Sequence, residues 1–383
     1  MKKDTFRKAG HFLHLWLGLL SGLVVTIVAV TGCIYAFEPE FRSLLQSYQN
    51  VKIQHAPFLS PTALKEKAMP YVYATPADSA NVIYGVTYET ADKAVKLAYN
   101  DTEQGYTVMF LNPYTGAYIH QLALKSDFFR IILAGHRNLW LPYPIGHQIV
   151  GWSIFVFLLV ILSGIVIWIP KKWNRKSLRN LFTFKWKGSV FKKSYDLHRV
   201  LGGYAVVFSL VFAITGLTWS FPWFGSAYYR LLSGGKALDE WAPALSDTTA
   251  TATFQSPADQ LWQQALADYP IGKQGSFMFD FPRQATDAYR ICYNPDTKTY
   301  YKRQFRFFDR NTLKELKGGG IYGLNADEAS TADTIYRMTY DLHVGTVGGS
   351  LGRRLMFCAC FIIATLPATG VVMWWKKKRK KVR

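Results

Sequence analysis

The sequence predicts an α-helical integral membrane protein, with four transmembrane helices in two repeated halves and two small α+β modules outside the membrane. Three observations predict it. Hydrophobic residues make up 50% of the 383-residue chain and charged residues only 18%, a low share for a soluble domain. The apolar residues concentrate in four runs, 12–37, 146–169, 197–221 and 355–375. Each is long enough to cross a bilayer, which takes about 20 helical residues. The basic residues concentrate between them: segments 1–10, 171–193 and 376–383 hold 20 of the 45 Lys and Arg but one of the 25 acidic residues.

Those three segments carry +19 of the net charge of +20. They sit at alternate ends of the four helices, which is the positive-inside pattern. The rest of the chain is nearly neutral, so the charge marks topology and excludes a nucleic-acid role. Both termini are expected in the cytoplasm.

The elements follow in order. Residues 1–10 are a basic cytoplasmic N-terminus, and 11–37 form the first membrane helix. It is a retained helix rather than a signal peptide, because it is too long and no small-x-small site follows. Residues 38–145 form the first outer module, with its folded part at about 58–125. There "LSPTALKEKA" opens a helix with a Ser cap and a Pro in the first turn. Alternating stretches "ANVIYGVTY", "KAVKLAY" and "GYTVMFLNPYTGAYIHQL" read as strands, with Asn-Pro-Tyr-Thr-Gly as a turn. Residues 146–170 form the second membrane helix, 171–195 a basic cytoplasmic loop, and 196–221 the third helix. The second outer module is 222–342, folded at about 254–318. It repeats the plan with "FQSPADQLWQQALADY", "GSFMFDF", "AYRICYN" and "YYKRQFRFFDRNTLKEL". Residues 343–375 form the fourth helix and 376–383 a basic cytoplasmic tail.

Four cysteines, three of them in membrane runs, imply no disulfide framework, and no zinc-type Cys/His spacing occurs. There is no C-x-x-C-H for covalent haem attachment.

The halves align. His14 over His198 brings Gly18 over Gly202, Thr31-Gly32 over Thr215-Gly216, and Phe37 over Phe221. In the second and fourth helices Gly146 and Gly352 precede Gly164 and Gly370 by eighteen residues, and Trp168 and Trp374 follow four later. The same topology in both halves implies a pseudo-two-fold axis along the membrane normal.

Of eight histidines, His55 and His120 in the first module read as ordinary surface residues. The other six gather at helix mouths: His11, His14 and His198 at the inner ends, His136, His147 and His343 at the outer. Ionisable groups there usually face the bundle and serve function. The alignment selects four. His14 matches His198, whereas His11 matches Tyr195. His136 lies 28 residues before Gly164 and His343 lies 27 before Gly370, whereas His147 matches Arg353. His11 and His147 remain substitutes for a selected histidine.

Two imidazoles facing across an axis suit a bis-histidine haem b, hence electron transfer, and two such pairs imply two haems. A bare zinc would need three or four ligands at one depth. Gly18 and Gly202, extended by Gly22 and Gly203, offer a slot for a flat cofactor, and Gly345, Gly348 and Gly349 follow His343. Close helix packing explains the same glycines. Arg199, Arg137, Arg353 and Arg354 lie beside the histidines, to pair with haem propionates or to anchor the interface. Asp196 and Asp341 either orient an imidazole or cap a helix start. Trp140, Tyr143, Trp219, Trp223, Tyr228 and Tyr229 line the outer mouth as an aromatic belt or a ligand surface.

Four motifs carry a family resemblance: "FLHLWLGLLSG…TG" (12–32), "GHRNLW…SGIVIWIP" (135–170), "YDLHRVLGGY…TGLTWSF" (195–221) and "DLHVGTVGG…TGVVMWW" (341–375). The chain resembles the PepSY-associated transmembrane proteins, which include iron-regulated inner-membrane proteins and siderophore reductases. "FLNPYTGAYI" (110–119) is similar to the closing hairpin of a PepSY module, whereas "FDRNTLKEL" departs from it. The resemblance implies a multi-pass bacterial inner-membrane protein with two b haems, whose ligands fall on His14, His136, His198 and His343. It implies reduction of ferric siderophores, or another ferric chelate, in the periplasm, with release of Fe(II). The electron donor is then separate: a flavoprotein, a flavin or membrane quinol. The competing expectations are a PepSY protein that binds peptides or regulates a protease, and a ferric-chelate permease. No membrane run is broken by a mid-span proline apart from Pro367, which argues against a transporter.

Overall fold

The computed structural model describes residues 2–325 and 327–382. The side chains of 1–4 and 380–383, part of the two terminal basic segments, lie outside the described residues. The chain divides into two units. One holds residues 1–38, 131–228 and 339–383; the other holds 39–130 and 229–338.

The first unit is built on helix 1 (Lys2–Tyr35), helix 2 (Tyr143–Trp168), helix 3 (Val190–Ser220) and helix 4 (Gly349–Val382). All four are long and apolar enough to span a membrane. Even 26 residues of helix reach about 39 Å, beyond the ~30 Å hydrocarbon thickness. Helices 1 and 3 each pack on both helices 2 and 4. Their shared interior is made of Val25, Ala29, Ala205 and Ile363, mostly small side chains that let the backbones approach.

Two helix starts differ from expectation. Helix 3 begins at Val190, ahead of the expected 196, because the Ser189 hydroxyl accepts from the Lys192 N–H. Asp196 therefore lies within the helix and caps nothing. Helix 4 begins at Gly349, behind the expected 343. His343 stands instead on a short helix, Thr339–Val344. Gly345 at φ +81° and Gly349 at φ +59° make the turn between them, in backbone conformations that favour glycine. His136 likewise rides a separate helix, Phe128–Asn138, before helix 2.

The second unit holds an eight-stranded antiparallel sheet. Its strands are β1 (Val82–Tyr88), β2 (Val95–Asp101), β3 (Gly105–Leu111), β4 (Tyr118–Ala123), β5 (Ser276–Asp280), β6 (Tyr289–Asn294), β7 (Gln304–Phe308) and β8 (Glu315–Leu316). Their order is β4-β3-β2-β1-β5-β6-β7-β8. The expectation of two separate modules is corrected here. Strands β1 and β5 pair, with Val86 opposite Phe279 and Tyr88 opposite Phe277, and fuse the two sheets. Each would otherwise present a bare edge, and pairing removes both. Gly85 permits the close approach, since a Cβ there would strike the Phe279 carbonyl and the Asp280 side chain.

Helices Pro61–Val72 and Pro257–Asp268 cover one face together. Leu64, Ala68, Leu261 and Trp262 form one core with Val86, Leu97, Met109, Phe279 and Ile291. The two closing turns differ in sequence but use the same device. The Asn112 Oδ1 accepts from the Tyr114 and Thr115 N–H groups, and the Asp309 Oδ1 from those of Asn311 and Thr312. His120 is half-buried, its ring packed on Tyr48 with centres 4.0 Å apart. His55 is exposed.

All four cysteines are free. Burial pushes the Cys292 thiol up to about 12. Cys292 is therefore expected to resist iodoacetamide at neutral pH until this unit unfolds. Mass spectrometry across a denaturant series checks this; modification of native protein would contradict the buried placement.

Candidate functional site

The site consists of two imidazole pairs near opposite ends of the membrane helices. His14 on helix 1 and His198 on helix 3 have ring centres 5.9 Å apart and planes at 90°. His136 and His343, on the two short helices, have ring centres 6.1 Å apart and planes at 83°. His14 is separated from the Thr31 that meets His136 by seventeen residues of helix 1, about 25 Å.

Each ring is held from behind by a helix other than its own. His14 Nδ1 donates to the Val160 carbonyl at 3.0 Å, with the Ser163 hydroxyl at 3.3 Å. His198 Nδ1 donates to the Leu366 carbonyl at 3.1 Å and the Thr369 hydroxyl at 2.9 Å. His136 Nδ1 donates to the Val28 carbonyl at 2.8 Å, with the Thr31 hydroxyl at 3.4 Å. His343 Nδ1 meets the Thr215 hydroxyl at 2.8 Å.

The hydroxyls are already committed as donors. Ser163 donates to Val160, Thr369 to Leu366, Thr31 to Ile27 and Thr215 to Val211. They can only accept from the rings. A carbonyl cannot donate either, so the proton sits on Nδ1 in His14, His136 and His198. For His343, whose Nδ1 meets a hydroxyl alone, the same tautomer is the one in which Thr215 keeps its bond to the Val211 carbonyl. Each neutral ring then keeps its Nε2 lone pair for another partner.

A glycine completes each seat. The residue after each hydroxyl is Gly164, Gly370, Gly32 or Gly216. A Cβ there would stand 3.0 Å from His14 Cε1, 3.7 Å from His198 Cε1, 3.2 Å from His136 Cε1 and 3.9 Å from His343 Cε1. At Gly164 and Gly32 a methyl would press into the ring. The hydroxyl–glycine pair is thus a socket for an imidazole from a neighbouring helix. In the sequence these pairs mark only the alignment of the halves. The signal was present, as a Ser/Thr-Gly in each of the four apolar runs.

The remaining candidates separate. At Gly18 a Cβ would meet only Val160 Cγ1, at 4.0 Å, and at Gly202 only Leu366 Cδ2, at 4.0 Å. Nothing crowds either position. Gly22 lies against Pro367 at 3.2 Å and Gly203 against the Trp168 indole at 2.7 Å, so these two serve close packing. Gly345 serves the turn already described.

Arg199 donates to Asp196 at 2.9 Å and to the Thr183 carbonyl at 3.3 Å. Arg137 donates to the Tyr143 hydroxyl at 3.3 Å and lies over that ring. Arg353 is half-buried in the second turn of helix 4, while Arg354 is exposed. The Asp341 Oδ1 accepts from the Thr346 hydroxyl at 2.8 Å. His11 is exposed, and His147 stacks on Tyr143 at 4.7 Å. Among the aromatics at the outer mouth, Trp219 packs on His343 at 5.1 Å.

With bonds of about 2 Å from metal to each nitrogen, two imidazoles sharing one metal stand with ring centres about 6 Å apart. Both pairs have that spacing. Among the described residues no group of three or more His, Cys, Asp or Glu is gathered for a bare metal ion. Two nitrogens complete the ligand set of a metal whose other positions come from a macrocycle. The uncrowded backbone at Gly18 and Gly202, one turn from His14 and His198, suits a flat group beside the inner pair.

A family profile described as PepSY-associated TM region matches residues 12–377. A search of curated proteins finds no match.

Proposed function

The chain belongs to the PepSY-associated TM family, and on that premise we propose that it is a di-haem b electron carrier of the bacterial inner membrane that reduces ferric chelates. Ferric siderophores are the substrate class, reduced on the periplasmic side with release of Fe(II). A separate flavoprotein, flavin or quinol supplies the electrons from the other side. One observation carries the reading: two imidazole pairs with metal-sharing separations, each ring fixed in the tautomer that leaves Nε2 free.

Bound haem would supply one-electron redox chemistry. His14 and His198 would hold one haem, His136 and His343 the other. The sockets orient the rings before anything binds. Ser163, Thr369, Thr31 and Thr215 keep the Nδ1 proton in place, which holds Nε2 basic and aimed. Gly18 and Gly202 leave room for the inner macrocycle. Arg137, next to His136, and Arg353, ten residues after His343, are the cations proposed for propionates; Arg199 is already paired with Asp196.

The test is the visible spectrum of protein purified in detergent from haem-replete cells. Sharp b-type bands on reduction, with about two haems per chain, are the expected result. The reduced protein should then convert a ferric siderophore to Fe(II), trapped by a ferrous-specific chelator. Colourless protein would sink the proposal.

A further inference from the structure

We infer that helix 3, next to His198, carries a binding site for a 1,4-hydroquinone headgroup, formed by Asp196, Arg199 and Trp168. Among the described residues of the membrane unit, three buried side-chain atoms have no hydrogen-bond partner: Trp168 Nε1, Asp196 Oδ2 and Arg199 Nε. Buried polar atoms are almost always satisfied, so three in one neighbourhood call for an explanation.

They belong to one neighbourhood by two arguments. Asp196, Arg199 and Gly203 follow at spacings of three and four, on one side of helix 3. The Trp168 indole lies on Gly203, where a Cβ would stand 2.7 Å from its Nε1. The helix Arg175–Phe182 closes the side: Phe182 stands 5.4 Å from Trp168 and 5.5 Å from Tyr204. Arg199 reaches the same segment through the Thr183 carbonyl. Its second bond, to Asp196 Oδ1, fixes the carboxylate and leaves Oδ2 to spare.

The chemistry that fits is narrow. Asp196 Oδ2 needs a donor, while Arg199 Nε and Trp168 Nε1 need an acceptor. A phenolic hydroxyl is both, and a hydroquinone carries one at each end of its ring, one for Asp196 and Arg199 and the other for Trp168 beside Gly203, about 10 Å farther along helix 3. The ring that bears them can lie among Trp168, Phe182 and Tyr204, and the last two are about half exposed on the flank of the bundle. An apolar ligand could enter there from the lipid. A phosphate or carboxylate would offer Asp196 no donor and would be repelled by it. A water would satisfy the polar atoms without using the aromatic wall. The site needs none of the four paired histidines, so it stands as a binding site whether or not they hold haem. As a point of electron entry it rests on the function proposed above.

The test is photolabelling of the full chain in detergent with an azido-1,4-benzoquinone bearing a short alkyl tail. Decyl-benzoquinone is the competitor, both are reduced before use, and labelled peptides are mapped by mass spectrometry. Label within residues 168–204, removed by the competitor, is expected. Asp196→Asn and the milder Trp168→Phe should each weaken competition about tenfold, the effect of one lost hydrogen bond to a charged or buried partner. Label that is not displaced, label confined elsewhere, or two variants that compete like the wild type would overturn the site and leave water as its occupant. The spectra of the same preparations keep the two readings apart. Colourless protein with displaceable label keeps this site and loses the haem. Coloured protein without such label does the reverse.

Discussion

Replacing His198 by alanine is expected to leave a chain that holds one haem instead of two. The inner and outer pairs share no side chain, and seventeen residues of helix 1, about 25 Å, separate their attachment points. Loss of one imidazole breaks one pair and leaves the other seated. The cost to the fold is modest. Thr369 keeps its bond to the Leu366 carbonyl at 2.8 Å. What is lost is the ring's own hydrogen bonding, about 1 kcal/mol, and alanine favours the helix. Haem per chain, measured as the pyridine haemochrome against protein mass, should fall by half while the gel-filtration profile is kept. His136→Ala should remove the complementary set of reduced bands. His14→Ala added to His198→Ala should cost no further haem, because two ligands of one centre act as a unit. Full haem content in His198→Ala, or loss of the same bands in His136→Ala, would show that the pairs are wrongly drawn.

The membrane helices were legible because length, apolar content and the position of lysines and arginines are local properties. The histidines were legible for a different reason: the two halves match at His14 and His198, and that match implied proximity. What could not be read was anything that depends on which helix meets which. Thr31-Gly32 and Thr215-Gly216 are visible as a repeat, yet the imidazole each receives comes from a segment over a hundred residues away. Gly202 and Gly203 are adjacent and chemically identical. One faces nothing closer than 4.0 Å and the other lies under an indole. Asp196 reads as a cap only while the helix start is misplaced; with Ser189 capping, it becomes half of an ion pair inside helix 3. The join between the two sets of strands was hidden for the same reason. Alternation in "VIYGVTY" and "SFMFD" identifies each strand and its buried face. It does not say that the free edges of β1 and β5 will pair with each other, because edge pairing draws on backbone groups that every sequence has.

Gly202→Leu is expected to abolish haem at the inner pair without unfolding the protein. The glycine allows two explanations, and they predict opposite results. If Gly202 exists so that helices can touch, a leucine forces them apart and the bundle loses stability. If it exists to leave room for a flat group beside His198, a leucine fills that room. The protein then stays folded, because the first atom added has only one neighbour within van der Waals range, Leu366 Cδ2 at 4.0 Å. Removing a mid-helix glycine would even favour the helix, by up to about 1 kcal/mol. Gly203→Leu is the matched control. Its Cβ would meet three atoms of the Trp168 ring at 2.7 to 2.8 Å, so Trp168 must be displaced and the bundle loosened. Thermal unfolding of the two variants in detergent, beside their haem content, separates the cases. Gly202→Leu should unfold with the one-haem His198→Ala protein and carry about half the wild-type haem, the outer pair alone. Gly203→Leu should unfold at lower temperature. A Gly202→Leu chain that is unstable yet retains both haems would make helix packing the reason for the glycine, and the inner macrocycle would then need another place to lie.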